Sequence, residues 1–452
     1  MTALVFNRKR LIAFSLSLLL IMQQSLTYQA LASIITNGDG SLIKPSAGGS
    51  FDISPDAVNG QTGFKQFGKI DLSQGDVLNF LYSYVTQRKV NVSWNEANGT
   101  HSGYLDKPDQ GTINTFVALV NSGVNINGIV NALQSAGGPL KTDGNMVFIS
   151  PNGLVVGASG VLNVGNLSVL TPTQDSYSGL TKYLNLPQKQ EGMINGIKIT
   201  ENDPVTQGKY TLDLTYDDNV KVTQMTDRTI NPSALKVGNG TIDIQGNVAA
   251  RGDINLVGGQ VNVGGLLLAG LGNNHTEALA GHDAANTLFS NLVNTDNMGV
   301  GNKFINNAGK ITISSNQGFY SNQNSKIRNY GTGNISINNT GINGVKIAGE
   351  LSNPNGKLVV KNTGGELLVD TTGVVKSGGA ALRVNNSSLL FDNSGSQGMN
   401  IKGKVNIDHS TKNGSVQFMN KNSNMSIGDN SINNNITSNA DVNINVDRKS
   451  VV

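Results

Sequence analysis

The chain has 452 residues, including 55 Gly, 33 Lys or Arg, 30 Asp or Glu and no Cys, with a formal net charge of +3. Charged residues make up 14%, well below the ~25% usual in soluble domains. Asn, Ser and Thr carry the polar role instead, which suits turns and neutral polar strands. The small net charge, without a cation run interleaved with aromatics, excludes nucleic-acid binding through phosphate neutralisation, and zero Cys excludes thiol nucleophiles, Cys-ligated zinc and iron–sulfur centres.

Residues 1–32 read as a secretory signal peptide. Arg8, Lys9 and Arg10 form a positive n-region, Leu11 to Met22 an apolar core, and Ala30-Leu31-Ala32 an A-x-A cleavage pattern that starts the mature chain at Ser33. The apolar run is shorter than the ~20 residues a spanning helix needs, and no later stretch is long and apolar enough, so no stable membrane insertion is expected. Exported proteins often use disulfides. A chain that is threaded unfolded through a narrow pore and then builds a large continuous core is better without them.

The most patterned stretch is "GNMVFISPNGLVVGASGVLNVGNLSVLTPT", residues 144–173, which carries no basic or acidic side chain. Ser150-Pro151-Asn152-Gly153 fits a type I turn: Ser to accept a backbone hydrogen bond, Pro to preset φ, Asn to tolerate the bridge region, Gly to close. Strands "MVFI" and Leu154-Val155-Val156 flank it. Asn353-Pro354-Asn355-Gly356 repeats the device before "KLVV", so the corner is read as geometry. A phosphate cradle would need a helix after the Gly-rich loop, and "GASGVLNVG" leads into a strand.

Residues 185–235 are richer in charge, and "KYTLDLTYDD" with "NVKVTQM" reads as an excursion with its own antiparallel hairpin. From 240 to 270, Ile242/Ile244, Ile254/Leu256 and Val261/Val263 form apolar dyads of period 2, each a half-buried strand. Arg251-Gly252-Asp253 spells a tripeptide used in integrin attachment and is equally a Gly corner between strands. In 271–300, Ala284, Ala285, Leu288, Phe289, Leu292 and Val293 recur at helical spacing with Asp283 as the cap, so a short amphipathic helix is expected. His275, Glu277, His282 and Asp283 are read as solvated polar residues, and no metal or cofactor is expected.

Across 301–446 the dyads Ile311/Ile313, Ile335/Ile337, Leu358/Val360, Leu382/Val384 and Val405/Ile407 recur 24, 23, 24 and 23 residues apart. Three strands of about four or five residues plus corners fill such a period. The expected architecture is therefore an all-β solenoid of stacked parallel strands, about 4.8 Å per layer, with second strands at Val345/Ile347 and Met399/Ile401. Inward positions call for Ile, Leu and Val, and outward positions for Asn and Ser. The closing hexapeptide Asp447 to Val452 breaks this pattern. Its codons, read as GAT CGG AAG AGC GTC GTG with a following TAG, match a common sequencing adapter, so 447–452 is expected to be non-native and the natural chain to continue.

The ordered run from "INGIVNALQ" through "SPNGLVVG" to "LSVLTPT" resembles the secretion domain of filamentous haemagglutinin-type exoproteins of two-partner secretion, and within them the leukotoxin-like filamentous adhesins. The resemblance spans residues 33–300, most specifically 111–173. It implies a right-handed parallel β-helix with a capped N-terminal end, and recognition by the POTRA domains of an outer-membrane barrel transporter. The family corner is usually Asn-Pro-Asn-Gly-Ile, where this chain has Ser150-Pro151-Asn152-Gly153-Leu154, and only "KPDQG" at 107–111 stands where a second corner is usual. The implied role is the N-terminal part of a large secreted adhesin or exotoxin, at the cell surface or beyond, with host receptors or glycans as further partners. Alternatives are an autotransporter passenger with the same solenoid and a surface glycan-processing β-helix. The scattered acids argue against an enzyme.

Overall fold

Strands are extended segments of two to fourteen residues, and almost all of them pair in parallel with a segment one layer further along the chain. The computed structural model describes residues 32–46, 49–96, 99–134, 141–186, 197–200, 211–214, 223–224, 234–272, 277–294, 308–378, 388–408, 415–421, 423–428, 436–438 and 441–447. Residues 1–31, with Ala30 of the expected cleavage pattern, lie outside the described residues; Ala32 and Ser33 immediately precede the first strand, Ile34–Asn37. The fold is all-β, organised as a 21-stranded and an 11-stranded sheet, with two two-stranded ribbons beside them.

The sequence explains the pairing. Alternate residues point to one face, so each apolar dyad puts two side chains into the core, and parallel register lays like on like. One column runs Leu167, Ile254, Ile311, Ile335, Leu358, Leu389, Val416, each 1% exposed or less. A second, in the other sheet, runs Leu267, Ile327, Leu351, Val375, Val405. Each such side chain contributes about 1.5–3 kcal/mol by leaving water. The first layers carry aromatics instead: the Phe80 ring sits 4.9 Å from Phe116, 5.9 Å from Phe148 and 6.2 Å from Phe67, all edge-on.

The exposed edge of the first parallel layer is covered by antiparallel pairing. Ile34–Asn37 and Ala57–Asn59 both run against Thr62–Leu72, whose other edge pairs in parallel with Thr115–Val120 and Val124–Ile126. Asp56 and Lys65 sit here as a buried ion pair at 2.8 Å. Burial pushes the Lys65 ammonium down, and Asp56 works against that shift.

Several expectations are corrected. The period of about 23 is not kept throughout. Equivalent residues are 24 and 23 apart from Ser315 through Asn339 to Asn362, then 31 to Asn393 and 27 to Asn420. The Leu382/Val384 dyad lies outside the described residues, and the column below Leu358 continues at Leu389. Val405/Ile407 belongs to the other sheet, below Val375. Extra residues are accommodated between strands, because only strand register is constrained by pairing.

Asn is not confined to outward positions. Ser315, Asn339, Asn362, Asn393 and Asn420 are all buried and form a continuous ladder. The Ser315 hydroxyl donates to Asn339 Oδ1 at 2.9 Å, Asn339 Nδ2 to Asn362 Oδ1 at 2.8 Å, Asn362 Nδ2 to Asn393 Oδ1 at 2.8 Å, and Asn393 Nδ2 to Asn420 Oδ1 at 2.7 Å. The side chains share the phase of the Ile and Leu residues before them, so the amide turns inward where the strand reaches its corner. Each amide also closes the turn beside it, as when Gly341 N–H donates to Asn339 Oδ1. A second ladder, Asn79–Asn131–Asn163, has 3.0 Å steps.

The hairpin in the charged excursion has different partners from those expected. Thr211–Leu214 pairs with Ile197–Thr200, while Thr223–Gln224 of "NVKVTQM" pairs in parallel with Ala57–Val58. A longer ribbon, unannounced by any repeat, joins Ser83–Glu96 to Gly99–Thr112 in unbroken antiparallel register.

The expected helix spans His282–Asn294. It buries Ala285, Phe289 and Leu292 against Ile129, Val161, Ala249 and Leu268 on the outer face of the 11-stranded sheet. Asp283 lies inside its first turn rather than ahead of it, so it meets the helix dipole without being the cap. The helix end is held by Tyr330, whose hydroxyl donates to Leu292 O at 2.8 Å, and by Arg328, whose Nη1 donates to Val293 O at 3.3 Å.

Removing one ladder amide breaks two links. Asn362→Ala takes one hydrogen bond from Asn339 Nδ2 and one from Asn393 Oδ1, which keep Gly341 O and Gly395 N–H as partners, at about 0.5–1.5 kcal/mol per lost bond. Its urea midpoint is expected to drop clearly, while exposed Lys361→Ala stays within about 0.5 kcal/mol of the parent. Equal midpoints for the two variants would dismiss the ladder as a source of stability.

Candidate functional site

The Ser150–Gly153 corner joins strand Asn145–Ile149 to strand Leu154–Val156. Gly153 N–H donates to Ser150 O at 3.2 Å, closing a four-residue turn. Gly153 has φ +93° and Asn152 lies outside the left-handed region, which fits the type I geometry. A Cβ on Gly153 would lie 2.0 Å from Thr241 O in the next layer, so both conformation and space demand glycine there. Asn152 Nδ2 donates to Asn121 O of the preceding layer at 2.8 Å. Leu154 is buried in the core. The Ser150 hydroxyl differs from expectation: it is buried with no hydrogen-bond partner among the described residues, and the backbone of Ser150 does the bonding, its N–H donating to Leu170 O at 3.0 Å.

The two ends of the sequence motif come together in space. Thr171-Pro172-Thr173 leaves strand Asn166–Leu170 directly beside the corner, and Lys236 to Gly240 returns along it. Gly238 N–H donates to Thr171 O at 2.7 Å, Thr173 N–H to Lys236 O at 2.8 Å, and the Thr171 hydroxyl to Gly240 O at 3.1 Å. This clamp is the stem of the charged excursion. Pro151, Asn152, Pro172, Gln174 and Val237 line a shallow groove between corner and stem.

The stem opens into a helix that sequence reading missed, Gln174–Leu184. Its signals were present. Thr173 caps it by accepting from Ser176 N–H, Asp175 lies in the first turn, Lys182 in the last, and Asn185 ends it at φ +46°. Tyr177, Leu180 and Leu184, at i, i+3 and i+7, pack on Phe64, Val117, Leu119 and Ile149. Burial pushes the Tyr177 phenol well up, and its hydroxyl has no hydrogen-bond partner among the described residues.

The other residues singled out by sequence do not join this site. Asn353 and Asn355 are buried, and the second corner is a different device. Asn353 Nδ2 donates to Lys357 O at 2.7 Å and its Oδ1 accepts from Asn329 Nδ2 at 3.3 Å; Asn355 Nδ2 donates to Tyr330 O at 3.1 Å, with Pro354 between them and Gly356 outside the left-handed region. In the Arg-Gly-Asp tripeptide, Arg251 Nη1 pairs with Asp143 Oδ1 at 2.6 Å and Asp253 Oδ2 with Lys310 Nζ at 3.4 Å. A Cβ on Gly252 would meet Asn166 Oδ1. His275 lies outside the described residues. Glu277 O accepts from Asn163 Nδ2, and His282 Nε2 accepts from Gly75 N–H. Among the described residues no three His, Cys, Asp or Glu side chains cluster as metal ligands.

A charged cluster stands apart from the corner. Arg328 holds Glu350 in a two-pronged pair, Nε to Oε1 at 2.6 Å and Nη2 to Oε2 at 3.1 Å. Burial opposes ionisation of Glu350, and the Arg328 hydrogen bonds more than offset it, holding the carboxyl below its usual range.

Two experiments follow. Gly153→Ala is expected to cost about 1–3 kcal/mol through its positive φ and the Thr241 contact. Gly179→Ala, mid-helix with open space around it, gains about 0.5–1 kcal/mol; thermal melts of the pair read the sign difference. For Glu350, a folded pKa below the unfolded ~4.3 means stability that is present above that value and lost as pH falls through the folded pKa. Glu350→Gln therefore lowers the urea midpoint at neutral pH, and its gap to the parent narrows as pH falls below the unfolded carboxyl range and through the lower folded pKa; a gap that stays constant assigns the loss to something other than the ion pair. No protein-family model matches this chain, and comparison with curated proteins finds no relative.

Proposed function

We propose that this chain is the N-terminal part of a large secreted filamentous adhesin or exotoxin of the two-partner secretion type. In this reading it winds as a right-handed parallel β-helix, crosses the outer membrane unfolded through a POTRA-barrel transporter, and folds outside from its N-terminal layers onward. It works at the cell surface or in the medium, has no catalytic step, and presents more distal repeats to host receptors or glycans.

The observation that carries the reading is the layered parallel pairing, running in one chain direction from the antiparallel cover at Ile34–Asn37 to Asp441–Asp447. Such a stack can be added to layer by layer, as a chain emerging from a pore requires. The signal-like leader, the absence of Cys and the resemblance of the 111–173 region support export. The corner and the Thr171–Thr173 stem form a surface that depends on backbone shape and not on charge, which suits recognition before the distal chain has folded.

The test is export itself. With Asn152 and Gly153 both replaced by Val, in an outer-membrane-bearing host that also makes the partner barrel, the chain is expected to stay in the periplasm while the parent reaches the medium. Undiminished export of the double variant would reduce the corner to plain scaffold.

A further inference from the structure

Away from the corner, three successive layers make a polar concavity lined by Tyr320, Asn322, Gln323, Asn324, Asp370 and Thr371. Tyr320 lies on an outward position of strand Ile311–Ser321, the residue 37% exposed. Lys346 follows it in register on the next strand, with Nζ 5.6 Å from the ring centroid and 2.8 Å from Asp370 Oδ2. That pair fixes the side of the ring and orients the carboxylate.

The turns around the ring are internally bonded. Asn324 N–H donates to Asn322 Oδ1 at 2.9 Å, Thr371 N–H to Asp370 Oδ1 at 2.8 Å, and the Thr372 hydroxyl to Ala348 O at 2.8 Å. Their backbone is thereby held in place, and Gln323, Asn324 and Thr371 are exposed around the rim. Amides and hydroxyls there offer both donors and acceptors. Charge is balanced: Lys346 and Lys402 act on the site together with Asp370 and Glu366.

An aromatic face within a ring of neutral donors and acceptors matches a ligand with a flat C–H face and a rim of hydroxyls. The balanced charge disfavours polyanions, and the polar lining disfavours an apolar peptide. We propose that this concavity binds a neutral oligosaccharide, one pyranose ring stacking on Tyr320 while Gln323, Asn324, Thr371 and Asp370 bond its hydroxyls. Layers about 4.8 Å apart let the sugar chain lie along the stack. This inference does not rest on the export reading, and either can fail without the other.

Calorimetric titration of the whole folded chain tests it with N-acetyllactosamine and oligomannose as host-type probes, maltotetraose and cellotetraose as microbial or plant types, and a heparin tetrasaccharide as the anionic comparator. At least one neutral probe is expected to bind, and which one separates the sources. Tyr320→Ala is expected to weaken that binding roughly tenfold or more with an unchanged melting profile, while Tyr320→Phe keeps it. No binding of any neutral probe at about 10 mM, tighter binding of heparin, or full affinity in Tyr320→Ala would each overturn the proposal.

Discussion

In this chain the hydrogen bonds of one strand are made by strands that lie one layer before and one layer after it. Most strands are only three to five residues long, too short to stand as independent hairpins, so a layer acquires its stability from the layer it lands on. Register follows from that constraint, because a shift by one residue would turn every inward Ile or Leu to solvent. Inward amides then become possible. A buried Asn is costly alone, but an Asn beneath another Asn finds a donor and an acceptor at each step.

What the pairing leaves unconstrained is the length of chain between strands, and there the fold carries its elaborations. The Gln174–Leu184 helix and the paired strands Ile197–Thr200 and Thr211–Leu214 both follow the Thr171–Thr173 stem in the chain. The His282–Asn294 helix lies between strands Leu266–Ala269 and Ile311–Ser321. Both helices cover apolar residues on the outside of the sheets, Phe64 and Ile149 in one case, Ile129 and Leu268 in the other. Without them those faces would be water-exposed patches.

Much of this was legible because strand alternation is local. The dyads from Ile242 to Val360, the corner at Ser150–Gly153 and the helix around Phe289 each declare themselves within a dozen residues. What was not legible depends on neighbours far along the chain. Asn339 and Asn338 look alike in sequence, and only the phase of Ile335 and Ile337, continued to the corner, sends the first inward. By spacing Leu382 and Leu389 are both plausible successors to Leu358, and only the strand pairing selects Leu389. The Gln174–Leu184 helix follows a strand motif whose period masked its own, although Thr173, Tyr177, Leu180 and Leu184 marked it. That Pro151 and Pro172 line one groove depends on pairing between layers, which no local pattern reveals.

The amide ladders have one further consequence. Links between layers made by neutral amides carry no net charge to be screened and no proton to gain or lose near neutrality. Counter-ions that weaken surface ion pairs such as Lys310–Asp253 leave the Asn339–Asn420 column untouched. Cohesion along the stack is thus decoupled from ionic strength.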